Sequence, residues 1–304
     1  MPKAVLTLVA AEGARGRLGP VLSALAAALE RLGADLGETH WLAPETACDI
    51  AFAGLSADQA DAAARRVLST EFGQLPVDLA VQPAEGRRKR LLVADMESTI
   101  IENEMLDELA AFLGFEAEVS EITRRAMNGE IDFTAALTAR VALLKGMPQR
   151  RLEEAASRIR LTPGAAALVA TMRAGGATTA LVSGGFRYFT RRIREMLGFD
   201  CDIANELSLA GDCLAGTVEE PVVTREVKLA TLRRLAAERE LPLSATLAVG
   251  DGANDVPMLE AAGLGVAFRA KPAVAARIRV RIDHCDLAAL LYMQGYRAEE
   301  IIRP

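Results

Sequence analysis

Three short apolar runs, each released into a polar turn, constrain this chain more than any other feature of its sequence. The first is Leu91, Leu92, Val93 and Ala94, and it ends on two carboxylates one residue apart, Asp95 and Glu97, followed by the hydroxyls of Ser98 and Thr99. The second ends in Ser183, Gly184, Gly185 and Phe186, and the third in Gly250, Asp251, Gly252, Ala253, Asn254 and Asp255. Runs this short and this apolar read as buried strands. In an open α/β sheet the ends of such strands are where ligands bind. A surface turn with a helix cap would explain any one of the three alone, but together they can converge on a single site.

At 304 residues the chain is long enough for a well-buried core and for two domains. Charged residues make up 25% and the formal net charge is -6, which argues against a general nucleic-acid binder. The basic run Arg87, Arg88, Lys89 and Arg90 is the exception. Lying between a Pro/Glu/Gly stretch and the first motif strand, it reads as a solvated linker rather than a phosphate-backbone patch. Cys48, Cys201, Cys213 and Cys285 have neither CxxC nor metal-ligand spacing, as expected of free thiols in a reducing compartment. Neither the first residues nor any later run has the make-up of a signal core or a bilayer span, so a cytoplasmic protein without membrane contact is expected.

In chain order, strands are expected over 5–9, 35–42, 47–53 and 77–81, with helices over 20–32 and from the Ser56 cap to about 70. This βαββαβ order predicts a small antiparallel α+β module of ferredoxin type, ending near residue 86. The strands near Trp41 and Phe52 are the weakest, because Pro44, Glu45 and Thr46 interrupt them. Residues 87–304 then alternate strands and helices, which predicts a Rossmann-like, mostly parallel sheet with helices on both faces. A helical insertion without strands spans about 104–160. Thr162 is the expected cap of a helix to Ala174, a basic helix covers 186–197, a further helix covers 222–238, and strands cover 178–182, 245–249, 264–268 and 278–282.

The chemistry follows from residue types. Asp95, Asp251 and Asp255 offer oxygen ligands suited to Mg²⁺, and the absence of a His cluster argues against zinc. Having only His40 and His284 in the chain argues against a His-based triad, and Ser183 lacks the G-x-S-x-G elbow of a nucleophile. Its hydroxyl and the N–H groups leading into the next helix suit a phosphate, although a plain turn with an N-cap would use the same residues. Lys228 is either a solvated lysine at a helix start or a point charge for a phosphoryl oxygen. Together these elements point to phosphoryl transfer to a carboxylate, with Asp95 attacking in line and Ser183 and Lys228 holding the other phosphoryl oxygens.

The stretches around Asp95, Ser183, Lys228 and Gly250 to Leu259 resemble the successive motifs of the haloacid dehalogenase-like hydrolases, and in detail the bacterial phosphoserine phosphatases, over roughly residues 88–297. The resemblance implies an aspartyl-phosphate on Asp95. It implies Mg²⁺ held by Asp95, the main-chain carbonyl of Glu97 and Asp251, with Asp255 close behind, and Asn254 orienting the substrate. It further implies that Glu104 grips the substrate ammonium, that Met127, Gly129, Phe133 and Arg140 form a serine pocket in the cap, and that Ser183, Gly184, Gly185 and Lys228 take the phosphate. Arg140 as a solvated side chain and Phe133 as core are the plainer alternatives. One ammonium clamp, one carboxylate clamp and one phosphate cradle describe O-phospho-L-serine.

The sequence departs from the family at Glu97, where the second acidic position usually carries the Asp that protonates the leaving oxygen and then activates water. The carboxyl stands one methylene farther out, and a misplacement of about 1 Å can cost on the order of a hundredfold in rate. Transfer to an alcohol such as homoserine, or a non-catalytic amino-acid sensor, are the alternative activities. The N-terminal module resembles the ACT-like domains found ahead of some family members. Its Gly33, Ala34 and Asp35 suit either a ligand turn or a simple helix end. Its open sheet edges suggest a homodimer.

Overall fold

In the computed structural model the described residues are 3–127 and 130–304, the side chain of Met127 excepted. The N-terminal strands Ala4–Ala10, Asp35–Ala43, Ala47–Ala53 and Val77–Pro83 form an antiparallel sheet in the order second, third, first, fourth. Helices Leu18–Arg31 and Ala57–Glu71 pack on one another and on this sheet around Leu6, Leu8, Leu25, Leu29, Ile50 and Phe52. Ser56 forms the expected capping box, its Oγ accepting from Gln59 N at 3.2 Å while Gln59 Oε1 accepts from Ser56 N at 3.3 Å. Pro44, Glu45 and Thr46 do not break the strands they separate, because they form the turn between them, closed by Thr46 N donating to Ala43 O at 3.1 Å. Gly33 ends a helix at φ 90°.

The larger sheet has six strands, all neighbours parallel, in the order Val280–Ile282, Leu264–Phe268, Thr246–Gly250, Leu91–Ala94, Thr178–Phe186, Cys201–Asn205. Its side chains alternate between two apolar layers. Leu92, Ala94, Leu181 and Val249 face one cluster, while Leu91, Val93, Val182 and Ala248 face the other, so both sheet faces are covered. The three motif strands are direct neighbours, with Leu91–Ala94 in the middle. The insertion comprises helices Met105–Ala111, Glu116–Met127, Phe133–Ala142 and Arg150–Ala156. It leaves and returns at one point, where Thr162 N donates to Ile100 O at 3.0 Å and Glu102 N to Arg160 O at 2.9 Å. No described helix is long and apolar enough to cross a membrane.

Several elements differ from the sequence expectation. The edge strand Cys201–Asn205 and a hairpin of Leu207–Ala210 with Cys213–Val218 were not expected, since these short, half-exposed segments carry little alternation. The hairpin is held by the insertion, Gly146 N donating to Leu214 O at 2.9 Å. Helix Ala165–Ala174 starts after Gly164 at φ 83°, so Thr162 is not its cap; a Cβ on Gly164 would fall 2.4 Å from Ala288 N, leaving glycine alone able to fit. The 222–238 helix starts at Arg225, with Val222 and Val223 buried in the segment between Pro221 and its cap Thr224, and Ile278 belongs to the turn before strand Val280–Ile282.

The basic run is not a solvated linker. Arg87 pairs with Asp49 at 2.6 Å, Lys89 is buried with its ammonium on the carbonyls of Gly86 and Ser244, and Arg88 stacks 4.3 Å over the Tyr296 ring. Arg87, which also donates to Thr7 Oγ1 at 2.9 Å and to Met293 O at 3.3 Å, fastens the second face of the N-terminal sheet to the larger body. Asp78 does the same, accepting the N–H groups of Asp283, His284 and Cys285 at 2.9, 3.1 and 2.8 Å. The four cysteines are free thiols.

Candidate active site

Because the three motif strands are adjacent, their turns open at one sheet edge, and the inserted helices close over them to leave a cavity of about 750 Å³. Asp95, Glu97, Ser183, Gly184, Gly185, Asp251 and Asn254 line it from the sheet, and Glu104, Phe133 and Arg140 line it from the insertion. Lys228 and Asp255 lie beneath, 1% and 0% exposed. The side chain of Met127, and Gly129, lie outside the described residues.

Behind strand Leu91–Ala94 the chain makes a wide turn in which Ile101 N donates to Met96 O at 2.9 Å and Ser98 sits at φ 53°. A left-handed serine costs about 1–2 kcal/mol, which the surrounding turn must offset. Asp95 stands at the start of this turn with its Oδ1 gripped twice, by Met96 N at 2.8 Å and Lys228 Nζ at 2.7 Å. Lys228 also donates to Asp255 Oδ1 at 2.6 Å. It is therefore the buried counter-ion of two carboxylates rather than a solvated lysine. Burial alone would lower its pKa, but the charges of Asp255 and Asp95 outweigh burial and raise it, so the ammonium keeps its proton. Asp255 Oδ2 accepts from Gly252 N at 3.0 Å, and a Cβ on Gly250 would strike Asp255 Cγ at 2.4 Å. That close approach explains the glycine before Asp251.

One lysine does not balance this cluster. Carboxylate oxygens of Asp95, Asp251 and Asp255 all lie within 4.8 Å of one another, and all three side chains are buried. Burial first, then the charge of Asp255, pushes Asp251 up to about 6 and raises Asp95 well above the usual carboxylate range. A buried set of three acids and one ammonium lacks positive charge, and its donors are all oxygen. The residues present thus fit a small hard cation, and they do not suit zinc, which favours nitrogen and sulfur.

Glu97 is held differently from its neighbours. Its Oε1 accepts the N–H of Met105, the first residue of helix Met105–Ala111, at 2.8 Å. Burial first, then the nearby charge of Glu104, pushes its carboxyl up to about 8. Space for the longer side chain comes from Gly185, where a Cβ would lie 2.7 Å from Glu97 Oε2. A Cβ on Gly184 would lie 3.1 Å from the ring of Phe133, so the second glycine lets the cap ring close on the sheet edge. Ser183 Oγ accepts from Gly185 N at 2.9 Å. Strand structure continues to Phe186 and the next helix begins at Arg187, so the 183–185 turn is carried on a strand and not on a helix N-terminus as the sequence suggested.

At the cap side, Glu104 Oε1 accepts from Ser98 Oγ at 2.7 Å. Arg140 is half-buried, its Nε 3.3 Å from Ala136 O and one terminal nitrogen 3.5 Å from Thr123 Oγ1. Sequence reasoning missed Asp107, Thr123 and Lys271, which also line the cavity. Lys271 Nζ lies 3.8 Å from Asp251 Oδ2. Its signal was available, since it follows strand Leu264–Phe268, a fourth exit at the same edge. The others lie on helices, where a polar residue looks solvent-facing.

Residues 92–260 match the haloacid dehalogenase-like hydrolase family. The chain is 41% identical over 283 residues to a phosphoserine phosphatase of Streptomyces coelicolor, an alignment covering 92% of this chain and 68% of that one. Among solved structures it is similar to a hydrolase from Salmonella enterica subsp. enterica serovar Typhi, with a TM-score of 0.83, 29% identity and coverage of 95% of this chain and 97% of that chain. It is also similar to a phospho-aspartyl intermediate analogue of a phosphoserine phosphatase, with a TM-score of 0.64, 39% identity and coverage of 67% of this chain and 98% of that chain.

Proposed function

Since the chain belongs to the haloacid dehalogenase-like hydrolase family, we propose that it hydrolyses O-phospho-L-serine to L-serine and phosphate through a phosphorylated Asp95, with Mg²⁺ as its cofactor. The observation that carries the reading is the single cavity in which the buried cluster of Asp95, Lys228 and Asp255 lies under a cap that presents an acid, Glu104, and a guanidinium, Arg140. A small zwitterion with a phosphate fits that order of charges. Glu104 would take its ammonium, Arg140 its carboxylate and the 183–185 turn its phosphate, with Phe133 shutting the cavity above Gly184.

Asp95, Asp251 and Asp255, with the main-chain carbonyl of Glu97, would hold the cation. When bound it supplies positive charge against the phosphoryl oxygens. Asp95 attacks phosphorus while the serine oxygen leaves with a proton from Glu97 Oε. Glu97, now ionised, takes a proton from water, and the hydroxide so formed attacks phosphorus and frees Asp95. Lys228 fixes the attacking carboxylate and offsets charge on the phosphoryl group, while Asn254 orients groups at the rim. The raised carboxyl of Glu97 favours the protonated form that the first step needs.

Phosphate release from O-phospho-L-serine tests the proposal. Stripping divalent cations should lower the rate by at least about 10²-fold, and added Mg²⁺ should restore it. No release at saturating Mg²⁺ would refute the reading. Adding excess homoserine should leave inorganic phosphate as the main product; phosphohomoserine instead would make the protein a transferase. Arg140→Ala should lower kcat/KM for phosphoserine by on the order of 10²-fold while changing hydrolysis of p-nitrophenyl phosphate less than about threefold, because only the amino acid has a carboxylate to lose. Equal losses on both esters would remove Arg140 from the substrate pocket.

A further inference from the structure

We propose that Asn205 is a positioning residue, whose amide aims the 183–185 turn at the phosphoryl group and sets its spacing from Lys228; the proposal rests on reading that turn as the phosphate cradle. Asn205 ends the edge strand Cys201–Asn205 and is 1% exposed. Its Nδ2 donates to the carbonyl of Gly184 at 2.7 Å, and its Oδ1 accepts the N–H of Val223 at 2.7 Å. Both halves of one buried amide are thus spent on backbone, one in each of two segments that approach the active site.

The first grip matters because the sheet gives way there. Strand pairing runs from Ala180 with Cys201 to Val182 with Ile203, then lapses until Phe186 meets Asn205. Gly184 falls in that gap, and the Asn205 side chain takes its carbonyl instead. A trans peptide is planar, so its C=O and N–H point in opposite directions. Holding the Gly184 carbonyl on Asn205 therefore turns the Gly185 N–H the other way, toward Ser183 Oγ, to which it donates at 2.9 Å. Rotation of this one peptide would exchange a donor for a carbonyl oxygen, and a carbonyl repels an anion.

The second grip fixes the approach to Lys228. Val223 directly precedes Thr224, whose carbonyl accepts the N–H of Lys228 at 3.1 Å in the first turn of helix Arg225–Glu238. A Cβ on Gly184 would lie 3.8 Å from the Val223 carbonyl, so the two segments run side by side with Asn205 across them. The position needs a donor and an acceptor on one short side chain. An ionised aspartate has no donor and an alanine has neither.

Asn205→Asp and Asn205→Ala separate aiming from folding. Asp keeps the shape and the acceptor for Val223, and in place of the donor to Gly184 it sets an oxygen that, ionised, repels the carbonyl it faces. The measurements are kcat/KM for phosphoserine and p-nitrophenyl phosphate, inhibition by inorganic phosphate, inhibition by L-serine, and the thermal midpoint. The Asp variant should lose about 30-fold in kcat/KM on both esters, the scale set by one buried polar group left unpaired, and the Ala variant, which leaves two unpaired, at least as much. Inhibition by inorganic phosphate should weaken about tenfold, while inhibition by L-serine, held at the cap, stays within about threefold. The Asp variant should melt within about 4 °C of the unsubstituted protein. Unchanged kinetics and phosphate inhibition in the Asp variant would overturn the proposal, as would equal weakening of phosphate and L-serine, the sign of a loosened site. If the unsubstituted protein hydrolyses neither ester, the functional reading fails rather than the assignment of Asn205.

Discussion

Asp95→Asn is expected to lower phosphoserine hydrolysis by at least about 10⁴-fold and to abolish the covalent phosphoenzyme, since an amide oxygen is a poor nucleophile for phosphorus. The structure makes this a clean test. Asn can still accept from Met96 N through its Oδ1, and Lys228 keeps Asp255 as a charged partner at 2.6 Å, so the ammonium is not left alone in the interior. Removing the sole partner of a buried charge costs about 3–5 kcal/mol, and the retained pair should keep the loss below that. Rapid-quench labelling with ³²P-phosphoserine, alongside a thermal melt, checks both statements. A labelled, active Asn variant would end the aspartyl-phosphate mechanism.

Glu97→Gln has the second largest expected effect, a fall of about 10²- to 10⁴-fold in turnover, the usual range for a lost proton carrier. The contact with Met105 N at 2.8 Å is what gives this substitution its meaning. Gln keeps an acceptor at the Oε1 position, so the start of helix Met105–Ala111 remains anchored and only the transferable proton is lost. Mg²⁺ affinity should change little, because the proposed ligand is the main-chain carbonyl. Single-turnover kinetics should show both formation and hydrolysis of the phosphoenzyme slowed. If both half-reactions run at the unsubstituted rate, Glu97 is not the acid and base.

Glu97 also shows how one departure from a family pattern can be accommodated. From sequence, the extra methylene looked like a misplacement of the carboxyl. In the structure the longer side chain folds between the bare Cα of Gly185 and the N-terminus of the Met105 helix, which donates its Met105 N–H to the carboxyl. Neither neighbour is adjacent to Glu97 in the chain. One lies 8 residues away, and the other reaches it only because strands Leu91–Ala94 and Thr178–Phe186 are paired.

What the sequence determined by itself was short in range. The apolar runs 91–94 and 245–249 became adjacent parallel strands, the Ser56 capping box closed as read, and the glycine-bounded 104–160 segment emerged as a helical insertion. Asp95, Ser183 and Asp251 were legible because a buried strand ending in a polar turn is a local pattern with one common consequence, a sheet edge where ligands bind. Only the tertiary structure decided the rest. Lys228 was marked for the phosphoryl group, with a solvated lysine as the plainer alternative, but its burial as the partner of Asp95 and Asp255, 133 and 27 residues away in sequence, was not legible. Arg87 read as linker until Asp49 supplied its counter-charge, and Asn205 carried no sign at all of the two backbone groups it holds. Periodicity reports which way a side chain faces within its own element. Whether a buried charge or amide is compensated depends on partners that chain folding brings from elsewhere, and no local pattern encodes them.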